Sequence, residues 1–423
     1  MLVDGQPEPI FALYAFGVAA LIAWTLVPLV ERLAWRIGAI DTPNERSLHT
    51  KPTPKLGGLA ILMGIIVAAV LFMPMGDETR GILIGAATIA AIGIVDDVVT
   101  LGALPKLLGQ FLAASIAVFN GVRLTAFTLP FIGGVDPTSV ELVTLPLIDE
   151  VDLGELLGIV GIVAAINVIN FIDGVDGLAA GVCVISAATL SVIAVSLDRE
   201  TAAVLAALTA GGALGFLRHG FPPASSFMGD TGSNLLGYML AVIAIQGSLK
   251  TNAVVALFFP LIILAVPILD TGFVVAKRVK YRQPIYRADR WHFHHRMANM
   301  GFSQRRTLAY LYGWTAVMAL LALALRFVPY SDDRGNFDPA WTAVILAFFV
   351  LVLGASFYLV LTLEILKLRR SRASPNLPPE VVDEGVRREL ETGSFEVVNP
   401  ETGEYQALDP ETGEFDAIEP GSA

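Results

Sequence analysis

The feature that most constrains this chain is a series of apolar segments, each 15 to 28 residues long and nearly free of charge. About 20 apolar residues cross a bilayer as a helix, which satisfies its own backbone hydrogen bonds in hydrocarbon. Only 16% of the 423 residues are charged, whereas soluble domains carry about 25%. The sequence therefore predicts an all-α polytopic membrane protein.

We expect about eleven transmembrane helices. Their ranges are 9–30, 57–74, 81–95, 107–122, 153–171, 177–197, 201–217, 233–249, 253–276, 306–328 and 339–366. The first is predicted to be a retained helix, since Asp4 and Glu8 precede it and no basic residue comes before Arg32. The single cysteine, Cys183, lies inside a span, which excludes a disulfide framework within the chain and a cysteine-based zinc site.

The basic residues predict the orientation of these spans. With eleven crossings, 22 of the 28 lysines and arginines fall on the side that includes the C-terminus, and six fall on the other. Basic residues near span ends favour the cytoplasm, so we expect the N-terminus outside and the C-terminus inside. In the outer segment 120–152, residues 124–129 and 141–145 are strand-like with glycine and proline between them, which predicts a small β-hairpin.

The net charge of −11 belongs to the C-terminal end of the chain. Residues 373–423 hold 13 acids and two arginines, and the remainder is neutral, so the acidity says nothing about the substrate of the membrane part. No nucleic-acid partner is expected. Three ten-residue repeats, ETGSFEVVNP, ETGEYQALDP and ETGEFDAIEP, fill 391–420. We predict that 367–423 is a separate, disordered cytoplasmic tail. Docking through Phe395, Tyr405 and Phe415 is the alternative, with no partner indicated by the sequence.

Polar residues at the span ends gather on one predicted side of the membrane, the inner one. They are Asp96 and Asp97, Asn167, Asn170, Asp173 and Asp176, the turn 227–233, Asp270, and His292, His294 and His295. The sides were assigned from hydrophobicity alone, so this coincidence predicts one site at the cytoplasmic boundary.

The carboxylates and amides of this set suit phosphate and nucleotide chemistry. Two adjacent carboxylates repel unless a cation lies between them, which predicts Mg²⁺ or Lys106 beside Asp96 and Asp97. Asn167, Asn170 and Asp173 are spaced by three and share a helix face, a pattern suited to a ribose or a base edge. Hydrogen bonding between membrane helices is the alternative for these amides.

A glycine-rich turn and a basic loop extend the prediction. Gly229–Ser233 precedes a helix, where free N–H groups can bind phosphate oxygens and Asp230 can hold Mg²⁺; ordinary helix capping is the alternative. The segment 277–306 carries nine basic residues and one acid, and its three histidines stand beside Arg290. We expect a phosphate-attracting surface there, or else only the signal that fixes orientation.

Other classes of protein fit less well. The chain has neither a G-x-x-x-x-G-K-[ST] loop nor a Rossmann glycine fingerprint. A cation-coupled transporter would place its acids near the bilayer midplane on broken helices, whereas these acids lie at span ends. A scaffold organised by the repeat tail would leave the polar motifs unexplained.

These motifs resemble those of the polyprenyl-phosphate N-acetylhexosamine-1-phosphate transferase superfamily. The matching pieces run in the family's order: DTPNERSLHTKPTPKLGG at 41–58, DD at 96–97 with Lys106, NVINFIDGVDGLAAG at 167–181, SSFMGDTGSNLLG at 225–237, and RADRWHFHHRMANMGFSQRR at 287–306. The resemblance implies that 1–366 is the transferase domain and leaves only the tail outside it.

The resemblance also implies a branch within the superfamily. The cell-wall muropeptide branch is expected to show three consecutive histidines, and here Phe293 interrupts them. The pattern is more similar to the branch that transfers N-acetylglucosamine-1-phosphate from UDP-N-acetylglucosamine to undecaprenyl or decaprenyl phosphate, releasing UMP, in cell-envelope polysaccharide synthesis. The muropeptide transferase remains the alternative.

The roles implied by the resemblance are assigned position by position. Asp230 is similar to the main Mg²⁺ ligand, with Asp96 as a second ligand, and Mn²⁺ is an alternative metal. The implied catalytic set is Asp96, Asp97, Lys106, Asp230, His294 and His295. The implied substrate-binding set is Asn167, Asn170, Asp173, Asp176, Phe227, His292 and Arg290. The resemblance places the site at the cytoplasmic face of the inner membrane and leaves open whether the enzyme is a homodimer.

Overall fold

The structure is a computed structural model, and it describes residues 2–3, 6–43, 51–124, 127–129, 133–135, 137–145, 148–248, 264–280, 297, 302–330, 338–372, 396–398 and 405–407. The chain divides into two compact units. The first comprises Met1–Thr271 and Ser303–Phe348, and the second comprises Gly272–Phe302 and Phe349–Ala423.

The described part of the chain is dominated by helices. In chain order these are α1 (Ile10–Ile37), α2 (Gly57–Phe72), α3 (Asp77–Val99), α4 (Ala103–Phe119), α5 (Leu153–Ile172), α6 (Leu178–Ser196), α7 (Glu200–Gly220), α8 (Gly229–Ser248), α9 (Ala265–Lys280), α10 (Gln304–Phe327) and α11 (Pro339–Arg372). A three-residue 3-10 helix, Pro137–Ser139, lies between α4 and α5.

Seven of the described helices are long and apolar enough to cross a membrane: α1, α3, α5, α6, α7, α10 and the 339–358 part of α11. Helices α2 and α4 are apolar but shorter. The chain is therefore a polytopic membrane protein, as predicted. The count of eleven crossings and the orientation stay predictions, and most of 253–264 in the predicted ninth span lies outside the described residues.

Several helices begin or end at residues that commonly cap helices. Helix α1 ends at Gly38, whose positive φ of 81° is a left-handed conformation that suits glycine. Helix α5 begins with a capping box, in which Asp152 accepts a hydrogen bond from the Glu155 N–H and the Glu155 side chain accepts one from Asp152. Such caps satisfy backbone groups that a helix leaves without partners at its ends.

Small residues bring the helices of the first unit close together. A Cβ at Gly211 or Gly215 of α7 would lie 2.2 Å from the carbonyl oxygen of Phe16 or Ala20, respectively, so α7 presses directly on the α1 backbone. Helix α8 packs against α3 and α5. A Cβ at Gly93 of α3 would lie 2.4 Å from the Thr231 Cα. Packing through small residues is typical of membrane helices, because lipid gives no hydrophobic drive for their association.

The strands are short and pair locally. They are β1 (Leu2–Val3) with β2 (Gln6–Pro7), β3 (Ile40–Asp41) with β4 (Thr53–Pro54), β5 (Phe127–Leu129) with β6 (Gly133–Val135), β7 (Glu141–Leu145) with β8 (Ile148–Asp152), and β9 (Glu396–Val398) with β10 (Tyr405–Ala407), all antiparallel.

The predicted pairing between α4 and α5 is wrong in detail. We expected 124–129 and 141–145 to face each other in one hairpin, but β5 and β7 each pair with the strand that follows them. Pairing with a near neighbour closes a shorter loop and so loses less chain entropy. The pair β9–β10 belongs to the second unit and joins the first two tail repeats. The predicted boundary at 366 and the disorder of the tail stay predictions.

Candidate functional site

Four helices of the first unit meet at one end, and each contributes a polar residue there. Asp96 and Asp97 lie in the last turn of α3, Lys106 lies in the first turn of α4, and Asn170 lies in the last turn of α5. Asp230 lies in the first turn of α8. The structure therefore confirms that these five residues come together, although up to 134 positions separate them in the chain.

Lys106 is the charge at the centre of this cluster. Its Nζ lies 3.0 Å from Asp96 Oδ2 and 3.0 Å from Asp230 Oδ2, so one ammonium joins α3 to α8. The other Asp96 oxygen accepts a hydrogen bond from the Leu101 N–H. Asp96 is buried, but the Asp230 side chain stays 30% exposed. Asp230 is therefore the better placed of the two to meet an incoming ligand.

Asp97 has a different set of partners from its neighbour. Its Oδ1 accepts from the Asp230 N–H at 3.0 Å, and its Oδ2 accepts from the Thr231 N–H at 3.0 Å and the Thr231 hydroxyl at 2.7 Å. A carboxylate at this position complements the positive end of the α8 dipole. Asp97 is thus an N-cap for α8, supplied by another helix.

This cap corrects the expectation for the glycine-rich turn. We predicted that the first N–H groups of α8 would be free to bind phosphate oxygens. The N–H groups of Asp230 and Thr231 donate to Asp97, and that of Gly232 donates to the Met228 carbonyl oxygen. The neighbouring helix end satisfies these donors, so in this structure the turn offers the Asp230 carboxylate to a ligand instead.

Asn170 fixes the second oxygen of Asp230. Its side-chain amide donates to Asp230 Oδ1 and also to the Ser233 hydroxyl at 2.8 Å. Ser233 in turn donates to the Gly229 carbonyl oxygen at 3.1 Å. With Lys106 on one oxygen and Asn170 on the other, the Asp230 carboxylate is held from both sides. This places Asn170 beside the Asp230 carboxylate, and its predicted role in donor binding stays a prediction.

Asp173 and Asp176 follow α5 and add negative charge to the site. Burial of the Asp173 carboxyl group raises its pKa well above the usual value of 3.8, and the charges of Asp230, Asp97 and Asp176 raise that pKa further. Asp176 Oδ2 accepts from the Ala224 N–H at 3.2 Å, which ties this turn to the segment before α8. Asp173 and Asp176 therefore add two acids to the group formed by Asp96, Asp97, Asp230 and Lys106.

Two of the recognised motifs, 41–58 and 225–237, meet through backbone hydrogen bonds. The Phe227 N–H donates to Pro54 O at 2.8 Å, the Gly57 N–H donates to Phe227 O at 2.9 Å, and the Gly58 N–H donates to Met228 O at 3.0 Å. The end of β4 and the start of α2 thus hold the turn leading to Asp230. Phe227 is half-buried, and its predicted stacking on uracil stays a prediction.

Asn167 has a partner that the sequence analysis missed. Its side-chain N–H groups donate to Gln110 Oε1 at 2.7 Å and to the Val163 carbonyl oxygen at 2.8 Å, which links α5 to α4. Gln110 lies one turn beyond Lys106 on α4 and is buried. A polar residue inside an apolar helix, four positions after Lys106, was the signal that could have identified it. The predicted role of Asn167 in donor binding is untested.

Thr231, Ser233 and Asn234 were also missed as individual residues. All three are fully buried in the first turns of α8, and Thr231 and Ser233 bond to the cluster as described above. Both side-chain amide atoms of Asn234 lack a hydrogen-bond partner among the described residues. The predicted residues Arg290, His292, His294 and His295 lie outside the described residues.

The donor set at this end fits Mg²⁺. Among the described residues no group of three or more His, Cys, Asp or Glu side chains is arranged to hold a metal ion. Mg²⁺ is usually held in proteins by one or two carboxylates, with the remaining positions taken by water and substrate phosphates. Oxygens of Asp96 and Asp230 already converge within 3.0 Å of one cation, the Lys106 ammonium. Two hard oxygen ligands are thus available for a metal that arrives with a diphosphate.

Comparison with known sequences identifies the family. The sequence profile of glycosyl transferase family 4 matches residues 79–248. A Bacillus subtilis (strain 168) protein, named "Probable undecaprenyl-phosphate N-acetylglucosaminyl 1-phosphate transferase", is 37% identical over 317 residues, which are 74% of this chain and 84% of that protein. The chain belongs to the polyprenyl-phosphate N-acetylhexosamine-1-phosphate transferase superfamily.

Other relatives from this superfamily indicate the branch. A decaprenyl-phosphate N-acetylglucosaminephosphotransferase from Mycobacterium tuberculosis (strain CDC 1551 / Oshkosh) is 34% identical over 386 residues, 83% of this chain and 90% of that protein. A phospho-N-acetylmuramoyl-pentapeptide-transferase from Desulforudis audaxviator (strain MP104C) is 33% identical over 351 residues, 74% of this chain and 97% of that protein. The relatives named for N-acetylglucosamine match more strongly, so the chain falls in their branch, as predicted. Residues 79–248 include Asp96, Asp97, Asp173, Asp176 and Asp230, which together with Lys106 are called the carboxylate cluster.

Proposed function

We propose that this chain transfers N-acetylglucosamine-1-phosphate from UDP-N-acetylglucosamine to undecaprenyl or decaprenyl phosphate and releases UMP. The observation that carries the proposal is the Lys106 bridge between Asp96 and Asp230, which assembles a charged site where α3, α4, α5 and α8 meet. The names of the relatives at 34–37% identity supply the sugar and the type of acceptor.

In the proposed reaction, an oxygen of the lipid phosphate attacks the sugar-linked phosphorus of the UDP-sugar. A new P–O bond forms to the lipid phosphate, and the bond from that phosphorus to the bridging oxygen breaks. UMP leaves with the bridging oxygen, and the sugar ends on a lipid diphosphate. Both reactants are anions, so charge neutralisation should be the largest catalytic term.

The Lys106 ammonium is the positive group of the described cluster that can meet these phosphates. It starts between Asp96 and Asp230, and it can turn toward a phosphate oxygen when a ligand enters. Asp230, with Asp96, would hold Mg²⁺, with Mn²⁺ as an alternative. When bound, the metal would supply further neutralisation of the diphosphate charge.

The two adjacent aspartates have separate roles in this proposal. Asp97 positions α8, and with it Asp230, because both Asp97 oxygens accept hydrogen bonds from that helix. Asp96 shares Lys106 with Asp230 and faces the reacting groups. A phosphate monoester has a second pKa near 6, so the lipid phosphate is mostly a dianion at neutral pH and needs little help from a base. We therefore assign Asp96 to holding cations in place rather than to removing a proton.

The proposal extends to the surroundings of the site. We place it at the cytoplasmic face of the inner membrane, because 22 of the 28 basic residues fall on that predicted side. The donor contacts would come from Asn167, Asn170, Asp173, Asp176 and Phe227, with Arg290 and the histidines His292, His294 and His295 over the phosphates or sugar. The proposed product starts a cell-envelope polysaccharide.

The test is UMP release by purified protein in detergent with undecaprenyl phosphate and Mg²⁺. We expect release with UDP-N-acetylglucosamine, none with UDP-muramoyl-pentapeptide, and loss of release in Asp230→Asn. Release with the second donor alone would keep the reaction and overturn the branch. Failure with both donors in folded protein would contradict the proposed reaction.

A further inference from the structure

A groove between α1 and α7 lies apart from the carboxylate cluster. It has a volume of about 670 Å³, and its apolar walls include Leu21 and Trp24 of α1 with Leu214 and Leu217 of α7. The groove follows from the close crossing of the two helices. Gly211 and Gly215 let the backbones touch, so the larger side chains beside that contact stand out as walls.

One end of the groove carries positive charge. Arg218 and Phe221 line that end. Arg218 is exposed, and it contacts no carboxylate in the part of the chain that the structure describes. Arg305 of α10 donates from Nε to the Pro222 carbonyl oxygen at 3.3 Å, which brings a second guanidinium to the residue next to Phe221. This end of the groove therefore has one lining cation, Arg218, and a second cation, Arg305, is held next to it in sequence at Pro222, the residue after Phe221.

One acid of α1, Glu31, is engaged by the segment after α7. Glu31 of α1 accepts a hydrogen bond from the Ser225 hydroxyl at 3.1 Å, and His219 Nε2 lies 3.2 Å from the Trp24 carbonyl oxygen. These contacts tie α1 to α7 and to the segment after it, and leave the walls of the groove apolar. Trp24 is half exposed beside the charged end, where tryptophan is common in membrane proteins because it suits the bilayer interface.

We propose that this groove binds an anionic phospholipid of the bilayer, with an acyl chain between α1 and α7 and the phosphate at Arg218 and Arg305. The apolar walls of the groove suit an acyl chain, and the arginines at its end suit the lipid phosphate. None of the groove's lining residues comes from α3, α4, α5 or α8, which carry the carboxylate cluster. The occupant is therefore a bound membrane lipid rather than the reacting acceptor.

The lipid would also stabilise the segment between α7 and α8. This segment begins at Phe221, passes Ala224, which donates to Asp176, and reaches Gly229 at the start of α8. A lipid phosphate bound by Arg218 of α7 and Arg305 of α10 would link these two helices beside the start of the segment. The binding site itself does not depend on the proposed reaction.

Native mass spectrometry of the full chain in detergent tests the proposal with phosphatidylglycerol, phosphatidylcholine and undecaprenyl phosphate as separate probes. We expect one phosphatidylglycerol to be retained at least fivefold more strongly than phosphatidylcholine. Arg218→Gln should remove most of that preference, and Leu214→Trp, which fills the groove from an exposed wall, should weaken retention of both phospholipids. Arg36→Gln and Leu13→Trp are matched controls on exposed positions of α1 outside the groove, and both should behave as wild type.

Two results would overturn the proposal. Equal retention of phosphatidylglycerol by wild type, Arg218→Gln and Leu214→Trp would show that the groove holds no such lipid. Displacement of the bound phosphatidylglycerol from wild type by one equivalent of undecaprenyl phosphate would make the groove part of the acceptor's route instead. A thermal melt of each variant without added lipid identifies any loss of binding that comes from misfolding.

Discussion

Helices α3, α4, α5 and α8 carry ionisable or amide side chains at both of their ends, and the two ends differ in how their acids are paired. At the end with Asp96, Asp97, Asp173, Asp176 and Asp230, one lysine, Lys106, makes ion pairs with two of the five acids, Asp96 and Asp230. At the opposite end the acids are fewer, and each has a local partner. Asp77 pairs with Arg80, Glu155 pairs with Arg123 and Asp152, and Glu78 accepts from Gln246.

Charged residues at the opposite end stabilise the helices, whereas those at the cluster end are arranged for function. Acids at the opposite end lie in the first turn of α3, cap the first turn of α5 or pair with arginines, which stabilises helices at a membrane boundary. The five acids and Lys106 of the other end together carry negative charge, which is unfavourable until a further cation joins them. Groups held in such an arrangement are candidates for metal and phosphate chemistry.

The largest expected effect comes from Asp230→Asn at the cluster end. Losing one charge from the carboxylate that meets Lys106 and Asn170 should reduce UMP release by about 10³-fold or more, as expected for a central electrostatic group. The measurement is the initial rate of UMP release in saturating Mg²⁺, with the melting temperature as a check on folding. Activity within tenfold of wild type would remove the central role of Asp230.

Asp96→Asn should reduce the rate by about 10²-fold and should do so equally at pH 6 and pH 8. Equal loss is expected because the lipid phosphate has its second pKa near 6 and Asp96 holds cations rather than accepting a proton. The rate of UMP release is measured at both pH values against wild type. Activity retained at pH 8 and lost at pH 6 would instead give Asp96 the role of a base.

Asp97→Asn should differ from Asp96→Asn in stability. An amide can accept with only one oxygen, so at least one buried N–H or O–H of Asp230 or Thr231 loses its partner, at a cost of about 1–3 kcal/mol. We expect a lower melting temperature and a rate reduced by about 10-fold to 100-fold through misplacement of Asp230. Thr231→Val is the matched variant, since it removes one of the same hydrogen bonds from the other side. A rate loss without any loss of stability would make Asp97 a direct participant.

Asp152→Ala tests the opposite end of α5. Removing this N-cap should destabilise the protein by about 1 kcal/mol and leave UMP release within about twofold of wild type. The melting temperature and the initial rate are measured on the same preparation. A hundredfold loss of activity in folded protein would mean that the end of α5 with Asp152 also takes part in the reaction.

The smallest expected effect is a pH-dependent gain in stability for Asp173→Asn. A raised pKa means that the folded state binds a proton more readily than the unfolded state, so stability falls as pH rises from 3.8 toward the folded value. Asparagine removes that loss. In buffer with EDTA the variant should melt about a few degrees higher than wild type near neutral pH, with a smaller gap in acid. A gap that stays constant with pH would show that the charge of Asp173 is not the cause.

Much of this site could be predicted because it depends on which side of the membrane each span ends. Hydrophobicity alone put Asp96, Lys106, Asn170 and Asp230 at span ends on one side, and the structure joins them by hydrogen bonds and ion pairs. The same apolar segments located helices such as α3 but not their lengths, since the predicted span 81–95 is the 23-residue helix Asp77–Val99. These features are local in sequence, so they needed no knowledge of how the helices rotate.

The features that were not predicted depend on helix rotation and on pairing between distant segments. Adjacent residues on a helix point about 100° apart, so nothing local separated Asp96, which faces Lys106, from Asp97, which caps α8. The Gln110–Asn167 pair depends on how α4 faces α5. The two hairpins replaced one because strand propensity alone does not select partners.

The most direct test of the central claim measures UMP and the sugar-bearing lipid diphosphate together in wild type, Asp230→Asn and Asp152→Ala. With UDP-N-acetylglucosamine, undecaprenyl phosphate and Mg²⁺, wild type and Asp152→Ala should form the two products in equal amounts, and Asp230→Asn should form neither. Equal product formation by Asp230→Asn and wild type would contradict the assignment of the reaction to the carboxylate cluster.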